Sequence, residues 1–191
     1  YMKLLLVRHG ESVDDLTDSY GGWADFPLTP KGHAQLRETS KKISALAIKF
    51  DEVWSSPLLR ASESARIIAN SQLLPVKETV YLKEKNGYGL LSGMNKSNAE
   101  ELYPELFALV KDGYVPGAET EEGFLERVEK LLNNITESNK TLICVTHGGV
   151  LSRLLKNYFN KEIEKAGDGC FILIDLDDKT IEETDGVKFK Q

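Results

Sequence analysis

Two of the three histidines in this chain each follow an apolar run and precede a glycine. His9 follows the run Lys3–Val7, and His147 follows the run Leu142–Val145. An imidazole can act as a nucleophile or move a proton near neutral pH, and glycine lets a ligand approach the backbone closely. Taken singly, a histidine after a strand is more often a hydrogen-bonded structural residue. The third, His33, lies on a polar helix face, and we expect it to be solvated.

Two arginines accompany the two histidines. Arg8 is adjacent to the first, and Arg60 ends the polar stretch Ser55–Arg60 that follows a weaker strand candidate. A guanidinium group is a planar fork of donors that matches phosphate in a bidentate way. Two guanidinium and two imidazole groups at strand ends therefore predict a local cationic pocket for phosphate or carboxylate. The alternative for Arg60 is a helix-surface contact with Glu63 or Ser64.

These candidates need a framework, and short apolar runs that alternate with helical patterns predict an α/β fold. Continuous apolar strands are typical of a parallel sheet that helices cover on both faces. We therefore predict a three-layer α/β/α sandwich with a mostly parallel central sheet. Sites in such sheets form at the carboxyl ends of the strands, where the polar clusters lie. The predicted strands are Lys3–Val7, Glu52–Trp54, Val76–Tyr81, Leu142–Val145 and Phe171–Ile174.

Capping residues and apolar stripes predict the helices. Thr29 followed by Pro30 is typical of an N-cap with a first-turn proline. The segments Thr180–Glu183 and Val187–Lys190 are predicted to pair as a polar hairpin at the sheet edge. Lys83–Asn98 is rich in Gly, Asn, Lys and Ser, which predicts a long surface loop. The helical segments are 30 to about 50, 57–70, 124–135 and 150–158.

The chain of 191 residues suits one domain, which we place at residues 2–191. Tyr1 precedes Met2, and we interpret Tyr1 as a remnant outside the natural sequence. No internal repeat, low-complexity tract or linker interrupts the pattern. The prediction is therefore a single domain with its site at one edge of the sheet.

Composition excludes several classes of protein. A formal net charge of −6 disfavours a general nucleic-acid binder, which would carry a basic face. Cys144 and Cys170, the only two cysteines, form neither a disulfide framework nor a structural zinc site. No stretch approaches the roughly 18 apolar residues of a membrane span, and no signal-peptide pattern begins the chain. We expect a cytoplasmic protein that binds neither membrane nor nucleic acid.

The motifs together resemble the histidine phosphatase superfamily, the phosphoglycerate mutase-like proteins, along nearly the whole chain. Six matching segments in the order of the family pattern carry this resemblance, whereas one such motif alone would not. The resemblance implies the phosphoglycerate mutase-like fold. The matching segments are Arg8-His9-Gly10-Glu11, Gly22-Trp23 through Gly32, Ser55-Ser56 through Arg60-Ala61, Glu84 with Gly93-Met94-Asn95-Lys96, Gly117-Ala118-Glu119-Thr120 with Arg127, and Thr146-His147-Gly148-Gly149.

The resemblance implies a mechanism and assigns residues to it. His9 would attack phosphorus and become a phosphohistidine, so its other ring nitrogen needs an acceptor that fixes the tautomer. Glu84 would protonate the leaving oxygen and later deprotonate water. No metal or other cofactor is implied, and the residues show no cluster at metal-ligand spacing. The residues that would bind the phosphoryl oxygens are Arg8, Arg60, His147 and Gly148.

The chain departs from the family pattern at three places. Asp15 stands where the family often has Asn, and a carboxylate donates to phosphate only when it is protonated. Asp15 therefore either faces a cationic or hydroxyl group of the substrate or points away. Ser19 replaces a frequent Arg. Between Glu84 and Tyr88 the chain has one residue more than the mutases, so the alternative for Glu84 is a solvated carboxylate in a loop. Glu78, Glu11 and Asp15 are then the other candidates for the acid. If Glu11 is not the acid, we expect it to hold the loop by accepting backbone N–H groups.

The family resemblance leaves three candidate functions for this chain: a phosphatase, a mutase and a non-catalytic phosphate-binding protein. The mutases resemble this chain but are longer, with an arginine-bearing insert, whereas the stretch Tyr103–Gly117 is short and has no Arg. Mutases also tend to have Asn where this chain has Gly149. A shorter lid admits water, so we favour a phosphomonoester phosphatase. The match at Gly93–Lys96 favours a mutase instead. A non-catalytic phosphate-binding protein would be expected to lack His9 or the acid.

The substrate is expected to be a small phosphorylated metabolite. Its non-phosphate part would lie among Asp15–Trp23, Lys85–Lys96 and Tyr103–Pro116. Lys96 is a candidate for a second anionic group, with a solvated lysine as the alternative. Trp23, Tyr88 and Tyr114 are candidates for stacking on a ring or sugar, with packing equally expected.

Overall fold

The computed structural model describes residues 2–190. Tyr1 and Gln191 lie outside the described residues, and so do the interpretation of Tyr1 and the last residue of the predicted domain. The strands in this part of the chain are β1 (Lys3–Arg8), β2 (Glu52–Ser55), β3 (Val76–Glu78), β4 (Leu142–Thr146), β5 (Ile163–Asp175) and β6 (Thr180–Phe189). They form one six-stranded sheet at the centre of the molecule, in the order β3-β2-β4-β1-β5-β6.

Four neighbouring strands of the sheet pair in parallel, and the two remaining pairings of the sheet are antiparallel. The pairs β1–β4, β2–β4 and β2–β3 are parallel, with Leu5 opposite Ile143 in the central pair. The strand β5 is antiparallel to β1, and β6 is antiparallel to β5. The four parallel strands therefore end at one edge, which is the edge that carries the polar clusters.

Helices cover both faces of this sheet, so the predicted three-layer α/β/α sandwich with a mostly parallel sheet is confirmed. The side chains of Leu4 and Leu6 pack with α6 (Glu121–Ser138) and α7 (Gly148–Phe159), whereas those of Leu5 and Val7 pack with α2 (Pro30–Ala45) and α3 (Leu59–Gln72). This alternation follows from the two-residue period of a strand. The helices are α1 (Val13–Thr17), α2 (Pro30–Ala45), α3 (Leu59–Gln72), α4 (Lys96–Leu102), α5 (Pro104–Leu109), α6 (Glu121–Ser138) and α7 (Gly148–Phe159).

Three predicted boundaries are wrong, and one is the start of the strand predicted at Phe171–Ile174, because β5 begins at Ile163. The helix α2 ends at Ala45 rather than near Phe50, because the left-handed backbone of Ala47 (φ 54°) turns the chain back toward the sheet. There the buried Phe50 joins the core beside α2 and α3. The predicted strand Val76–Tyr81 stops at Glu78, since a short 3₁₀ helix follows at Val80–Leu82 and buries Leu82.

The predicted C-terminal hairpin is also wrong in its pairing. Thr180–Glu183 and Val187–Lys190 do not pair with each other: positions 180–189 form the single strand β6. This strand pairs with β5, for example Asp175 with Thr180 and Ile163 with Phe189. The polar pattern was correct for a sheet edge, but β5 is long enough to pair with both segments.

A smaller layer covers the carboxyl edge of the parallel strands. It contains α1, α4, α5 and two short 3₁₀ helices at Gly89–Leu91 and Val110–Asp112. Its own small core is formed by Tyr20, Leu91, Ala99 and Val115. The predicted loop at Lys83–Asn98 thus carries short helical turns. Within residues 2–190 no helix is long and apolar enough to cross a bilayer.

Candidate active site

Three parallel strands bring the polar clusters together. The strands β1, β2 and β4 are neighbours, and each ends directly before one cluster. The backbone N–H of His9 donates to the Thr146 carbonyl oxygen at 3.0 Å, and that of Ser56 donates to the Val145 carbonyl oxygen at 3.0 Å. These two bonds continue the sheet pairing past the strand ends and fix the clusters relative to one another.

His9 is held in one tautomer by the backbone. Its Nδ1 lies 2.7 Å from the Gly10 carbonyl oxygen, which can only accept, so Nδ1 carries the proton and Nε2 carries a lone pair. The residue is 6 % exposed. Burial, with the adjacent charge of Arg60, lowers the pKa of His9 to about 3. A neutral imidazole with a lone pair on Nε2 can act as a nucleophile at ordinary pH.

Arg60 is buried beside that nitrogen. Its Nε–H points at His9 Nε2 at 3.3 Å, while the two terminal nitrogens donate to the carbonyl oxygens of Ala24 and Gly22 at 3.0 Å each. The alternative of a surface pair with Glu63 is therefore wrong. The Glu63 carboxylate instead accepts the Leu28 N–H at 2.8 Å.

Arg8 lies on the other side of the pocket. One terminal nitrogen donates to the Ala166 carbonyl oxygen, and the other lies 3.3 Å from an Asp168 carboxylate oxygen. Its Nε is buried and has no partner. A donor left open beside the first turn of α7 is the group a bound phosphoryl oxygen would satisfy. A Cβ added at Gly148 in that turn would lie 3.9 Å from this Nε.

His147 caps the start of α7 and faces His9. The two ring centroids are 4.9 Å apart. His147 Nε2 lies 2.8 Å from Ser56 Oγ, and its Nδ1 is buried without a partner. Burial and the neighbouring His9, Arg60 and Arg8 lower the pKa of His147 well below its ordinary value, so the ring is neutral.

The carboxylate of Glu84 lies in the same pocket. One oxygen accepts the Lys85 N–H at 2.7 Å and the other accepts the Gly149 N–H at 3.2 Å. Burial raises the pKa of Glu84, and the backbone bonds and nearby arginines only partly oppose this. Gly149 leaves the space that this carboxylate fills, since a Cβ there would lie 2.3 Å from Oε1.

The fallback acids are engaged elsewhere. Glu78 accepts the Ser62 hydroxyl at 2.9 Å. Glu11 accepts the Thr29 hydroxyl at 2.8 Å and the Lys31 ammonium at 2.6 Å. The expectation that Glu11 holds the loop through backbone N–H groups is wrong, because side chains of the α2 N-terminus occupy both of its oxygens.

Asp15 has a structural role in the free protein. One of its oxygens accepts the Ser12 N–H at 3.0 Å, which completes a capping box at the start of α1. The Ser12 hydroxyl donates to Asp14. Both carboxylates also line the cleft. Asp15 therefore presents an acceptor, not a donor, to the space outside the phosphoryl pocket.

Two residues hold the backbone of Glu84 in place. The Trp23 indole N–H donates to the Glu84 carbonyl oxygen at 2.7 Å. Arg127 donates to the same oxygen at 3.1 Å and to the Lys83 carbonyl oxygen at 2.7 Å, and it is fixed in turn by a bidentate pair with Glu119. Sequence reasoning missed these positioning contacts, although the Gly117–Thr120 segment with Arg127 was a visible signal.

A cleft of about 650 Å³ opens from the phosphoryl pocket. All three predicted segments contribute to it, including Tyr88, Lys96 and Lys111. Lys96 pairs with Asp18 at 2.6 Å. Tyr114 is 78 % exposed and is not among the lining residues. The described residues contain no group of three or more His, Cys, Asp or Glu side chains placed to hold a metal ion.

The other aromatic candidates are used within the protein. The ring of Tyr88 packs on Tyr20, with centroids 4.6 Å apart. The Lys83 ammonium lies 3.5 Å above the Trp23 ring. His33 is partly exposed on α2, 3.9 Å from a Glu63 oxygen, in agreement with its prediction as a surface residue.

The family model for the histidine phosphatase superfamily (branch 1) matches residues 4–179. A 2,3-bisphosphoglycerate-dependent phosphoglycerate mutase of Bradyrhizobium diazoefficiens is 33% identical over 164 residues, which covers 80% of this chain and 78% of that protein. The protein of the same name in Parvibaculum lavamentivorans is 31% identical over 193 residues, covering 92% and 91%.

A solved structure of an alpha-ribazole phosphatase from Shigella flexneri has a TM-score of 0.80 and 24% identity, and the match covers 98% of this chain and 95% of that one. This likeness supports the fold. Because the Parvibaculum protein is covered over 91% of its length, chain length does not separate phosphatases from mutases here. The chain belongs to the histidine phosphatase superfamily.

Proposed function

We propose that this protein is a phosphomonoester phosphatase that hydrolyses a small phosphorylated metabolite through a phosphohistidine intermediate. The observation that carries the proposal is the state of His9. Its Nδ1 is tied to the Gly10 carbonyl oxygen, and its Nε2 lone pair faces a pocket of cationic and unpartnered donors. An anionic phosphoryl group satisfies those donors and presents phosphorus to the nucleophile.

In the first step, His9 Nε2 attacks phosphorus and the bond from phosphorus to the ester oxygen breaks. Arg60 Nε–H points at the Nε2 lone pair in the free protein, so a phosphoryl oxygen must take over that donor first. Glu84 gives its proton to the departing oxygen, and its raised pKa keeps that proton available. The products are the alcohol, which leaves, and phosphohistidine.

Charge on the phosphoryl oxygens is balanced by groups already in place. The unpartnered Arg8 Nε, the Arg60 guanidinium and the unpartnered His147 Nδ1 are the donors. The N-terminus of α7, which begins at Gly148, adds its backbone N–H groups and helix dipole. Donors that need no reorganisation stabilise the transition state more than the ground state.

In the second step, water attacks the phosphohistidine. Glu84, now ionised, accepts a proton from the water, and the phosphorus–nitrogen bond breaks to release inorganic phosphate and neutral His9. Glu84 is among the residues that line the cleft, so water that enters the cleft can reach its carboxylate.

The lining of the cleft supports hydrolysis over transfer to a second phosphoglycerate. Among the described lining residues the only arginines are Arg8 and Arg60, so no third guanidinium faces the cleft to bind a substrate carboxylate. The carboxylates of Asp14 and Asp15 also face this space. A mutase remains the second candidate, because curated relatives carry that name. A cytoplasmic location stays a prediction from the sequence.

The test is trapping of the intermediate. Purified protein with an excess of chelator is mixed with ³²P-labelled aryl phosphate and quenched in base, which preserves phosphohistidine. We expect base-stable, acid-labile label and steady release of phosphate. His9→Ala removes both, whereas the matched control His33→Ala, on the surface of α2, keeps both. Label that persists in His9→Ala contradicts the nucleophile assignment.

A separate experiment tests the mutase alternative. Incubation with 3-phosphoglycerate, with and without a trace of 2,3-bisphosphoglycerate, is followed by product analysis. A phosphatase forms no 2-phosphoglycerate, and any 3-phosphoglycerate that it converts appears as glycerate and free phosphate. Conversion to 2-phosphoglycerate without net phosphate release overturns the choice in favour of a mutase. Binding of phosphate without turnover of any ester would support a non-catalytic role.

A further inference from the structure

We propose that Ser56 is a positioning residue that holds His147 in the tautomer protonated on Nδ1, so that this N–H donates to the phosphoryl group. The inference rests on the proposed function, because the His147 N–H is one of the donors of the proposed phosphoryl site. The tautomer is a property of the ligand-free protein, however, and can be tested without turnover.

The first step of the argument is the hydrogen bonding of Ser56. Its Oγ accepts the backbone N–H of Leu58 at 3.2 Å and lies 2.8 Å from His147 Nε2. The side chain is buried, so its hydroxyl proton needs an acceptor. Among the described contacts of this hydroxyl, the atom that can accept its proton is His147 Nε2. Ser56 therefore donates, and Nε2 carries a lone pair.

The second step concerns the other ring nitrogen. A neutral imidazole has one proton, so a lone pair on Nε2 places the proton on Nδ1. His147 Nδ1 is buried and has no partner, and its ring faces that of His9. The opposite tautomer would leave the Ser56 proton buried without an acceptor and turn a lone pair toward the phosphoryl oxygens.

The same logic sets the two histidines in complementary states. His9 has a carbonyl acceptor, Gly10, on Nδ1, and this leaves Nε2 as a nucleophile. His147 has a hydroxyl, Ser56, on Nε2, and this leaves Nδ1 as a donor. A carbonyl can only accept, whereas a hydroxyl can donate. The identity of that one neighbouring group decides whether each ring attacks the phosphoryl group or stabilises it.

The direct test is the tautomer in the ligand-free wild-type protein. Long-range ¹H–¹⁵N correlation spectra of uniformly ¹⁵N-labelled protein distinguish protonated from unprotonated ring nitrogens. For His147 we expect protonated Nδ1 and unprotonated Nε2, and for His9 the same pattern from its own partner. A protonated Nε2 on His147 overturns the inference whatever the activity of the protein.

The variant Ser56→Ala removes the hydroxyl. We expect the spectra of His147 to shift toward the Nε2-protonated form and the inhibition constant of inorganic phosphate to rise about 10-fold. The matched control is Ser62→Ala, which removes a buried hydroxyl of α3 that donates a hydrogen bond to Glu78. We expect this variant to leave both readouts unchanged. If Ser56→Ala changes neither the tautomer nor phosphate binding, the assignment is refuted.

A double-mutant comparison separates tautomer control from packing. His147→Asn places an amide N–H where Nδ1 stood, and His147→Gln places its amide nearer Nε2. We expect the Asn variant to bind inorganic phosphate more tightly than the Gln variant. Adding Ser56→Ala to His147→Asn should cost less than 2-fold, because no tautomer remains to be fixed. A 10-fold loss in that background as well means that Ser56 acts through packing, which overturns the inference.

Failure of the proposed function is distinguishable from failure of this inference. Absence of phosphohistidine with a His147 protonated on Nδ1 refutes the catalytic proposal and leaves the tautomer assignment standing. A His147 protonated on Nε2 in a protein that forms phosphohistidine refutes the tautomer assignment and leaves the catalytic proposal standing.

Discussion

The substitution Gly149→Ala tests the placement of the proposed acid by adding one methyl group. A Cβ on residue 149 would lie 2.3 Å from Glu84 Oε1 and 3.2 Å from its Cδ. Carbon–oxygen contacts under 3.0 Å are essentially absent from real structures, so the carboxylate must retreat by about 0.7 Å or more. The retreat also weakens the bond from the Gly149 N–H to the other carboxylate oxygen.

The cost follows from the role of the acid. A misplacement on the order of 1 Å can cost ~100-fold, and a positioned general acid contributes ~10²–10⁴-fold. We therefore expect kcat/KM for an alkyl phosphate to fall about 100-fold, which corresponds to roughly 2.7 kcal/mol of transition-state stabilisation. An aryl phosphate whose leaving group needs no proton should lose less than about 5-fold.

The assay compares two esters on the same enzyme preparations. Glycerol phosphate represents the poor leaving group and p-nitrophenyl phosphate the good one. The parameter is kcat/KM, because it reports steps up to the first departure of alcohol and is independent of dephosphorylation. Gly123→Ala, in the first turn of α6, is the control; its Cβ would lie 3.1 Å from the Thr120 hydroxyl oxygen, away from the site, and both values should stay unchanged.

Equal losses on both esters would refute the reasoning, because loss of an acid must discriminate by leaving group. An unchanged kcat/KM for glycerol phosphate in a folded Gly149→Ala protein would also refute it, since it would show that Glu84 moves freely or is not the acid. Circular dichroism and the urea midpoint establish that the variant is folded.

Four further predictions concern the site and the two buried thiols. Arg127→Met releases the Glu84 backbone and should lower kcat/KM for glycerol phosphate about 10-fold more than for the aryl ester. The free energy of unfolding, measured in urea, should fall by about 3–5 kcal/mol because the largely buried Glu119 carboxylate loses its charge partner. As pH rises through the raised pKa of Glu84, kcat/KM for the alkyl ester should fall because the acid loses its proton. Glu84→Gln should remove that fall. A pH-rate profile of both proteins measures this, and the part of the profile that they share reports the second ionisation of the substrate. The pKa of about 3 for His9 predicts no loss from protonation of the nucleophile between pH 4 and 6. Burial raises the pKa of Cys144 and raises that of Cys170 to about 11, so neither thiol should react with iodoacetamide in the folded protein, as mass spectrometry would show.

Elements with strong local signals were predictable, and those decided by pairing were not. The buried runs at β1 and β4 and the stripe of α6 appear where the sequence placed them. The extent of β3 and the pairing of β6 were missed. A polar segment at a sheet edge has no hydrophobic pattern of its own, so its partner and length depend on the neighbouring strand.

The parallel direction of the strands explains why the site could be found before the fold was known. Parallel strands share a carboxyl edge whatever their order, so His9, Arg60 and His147 had to lie at one side of the sheet. The family resemblance added Glu84. It could not establish that this carboxylate lies in the cleft, because that depends on the missing side chain at Gly149 and on Arg127, 43 residues away in sequence.

The sequence by itself determined the α/β architecture, the family and the set of cationic side chains. Only the tertiary structure decided which atoms of those side chains are free to react. The tautomer of His9 is set by an adjacent carbonyl, whereas that of His147 depends on Ser56, 91 residues earlier in the chain. A residue's type fixes which protons it can carry, but the protonation of each nitrogen depends on the burial and partners that folding brings to it.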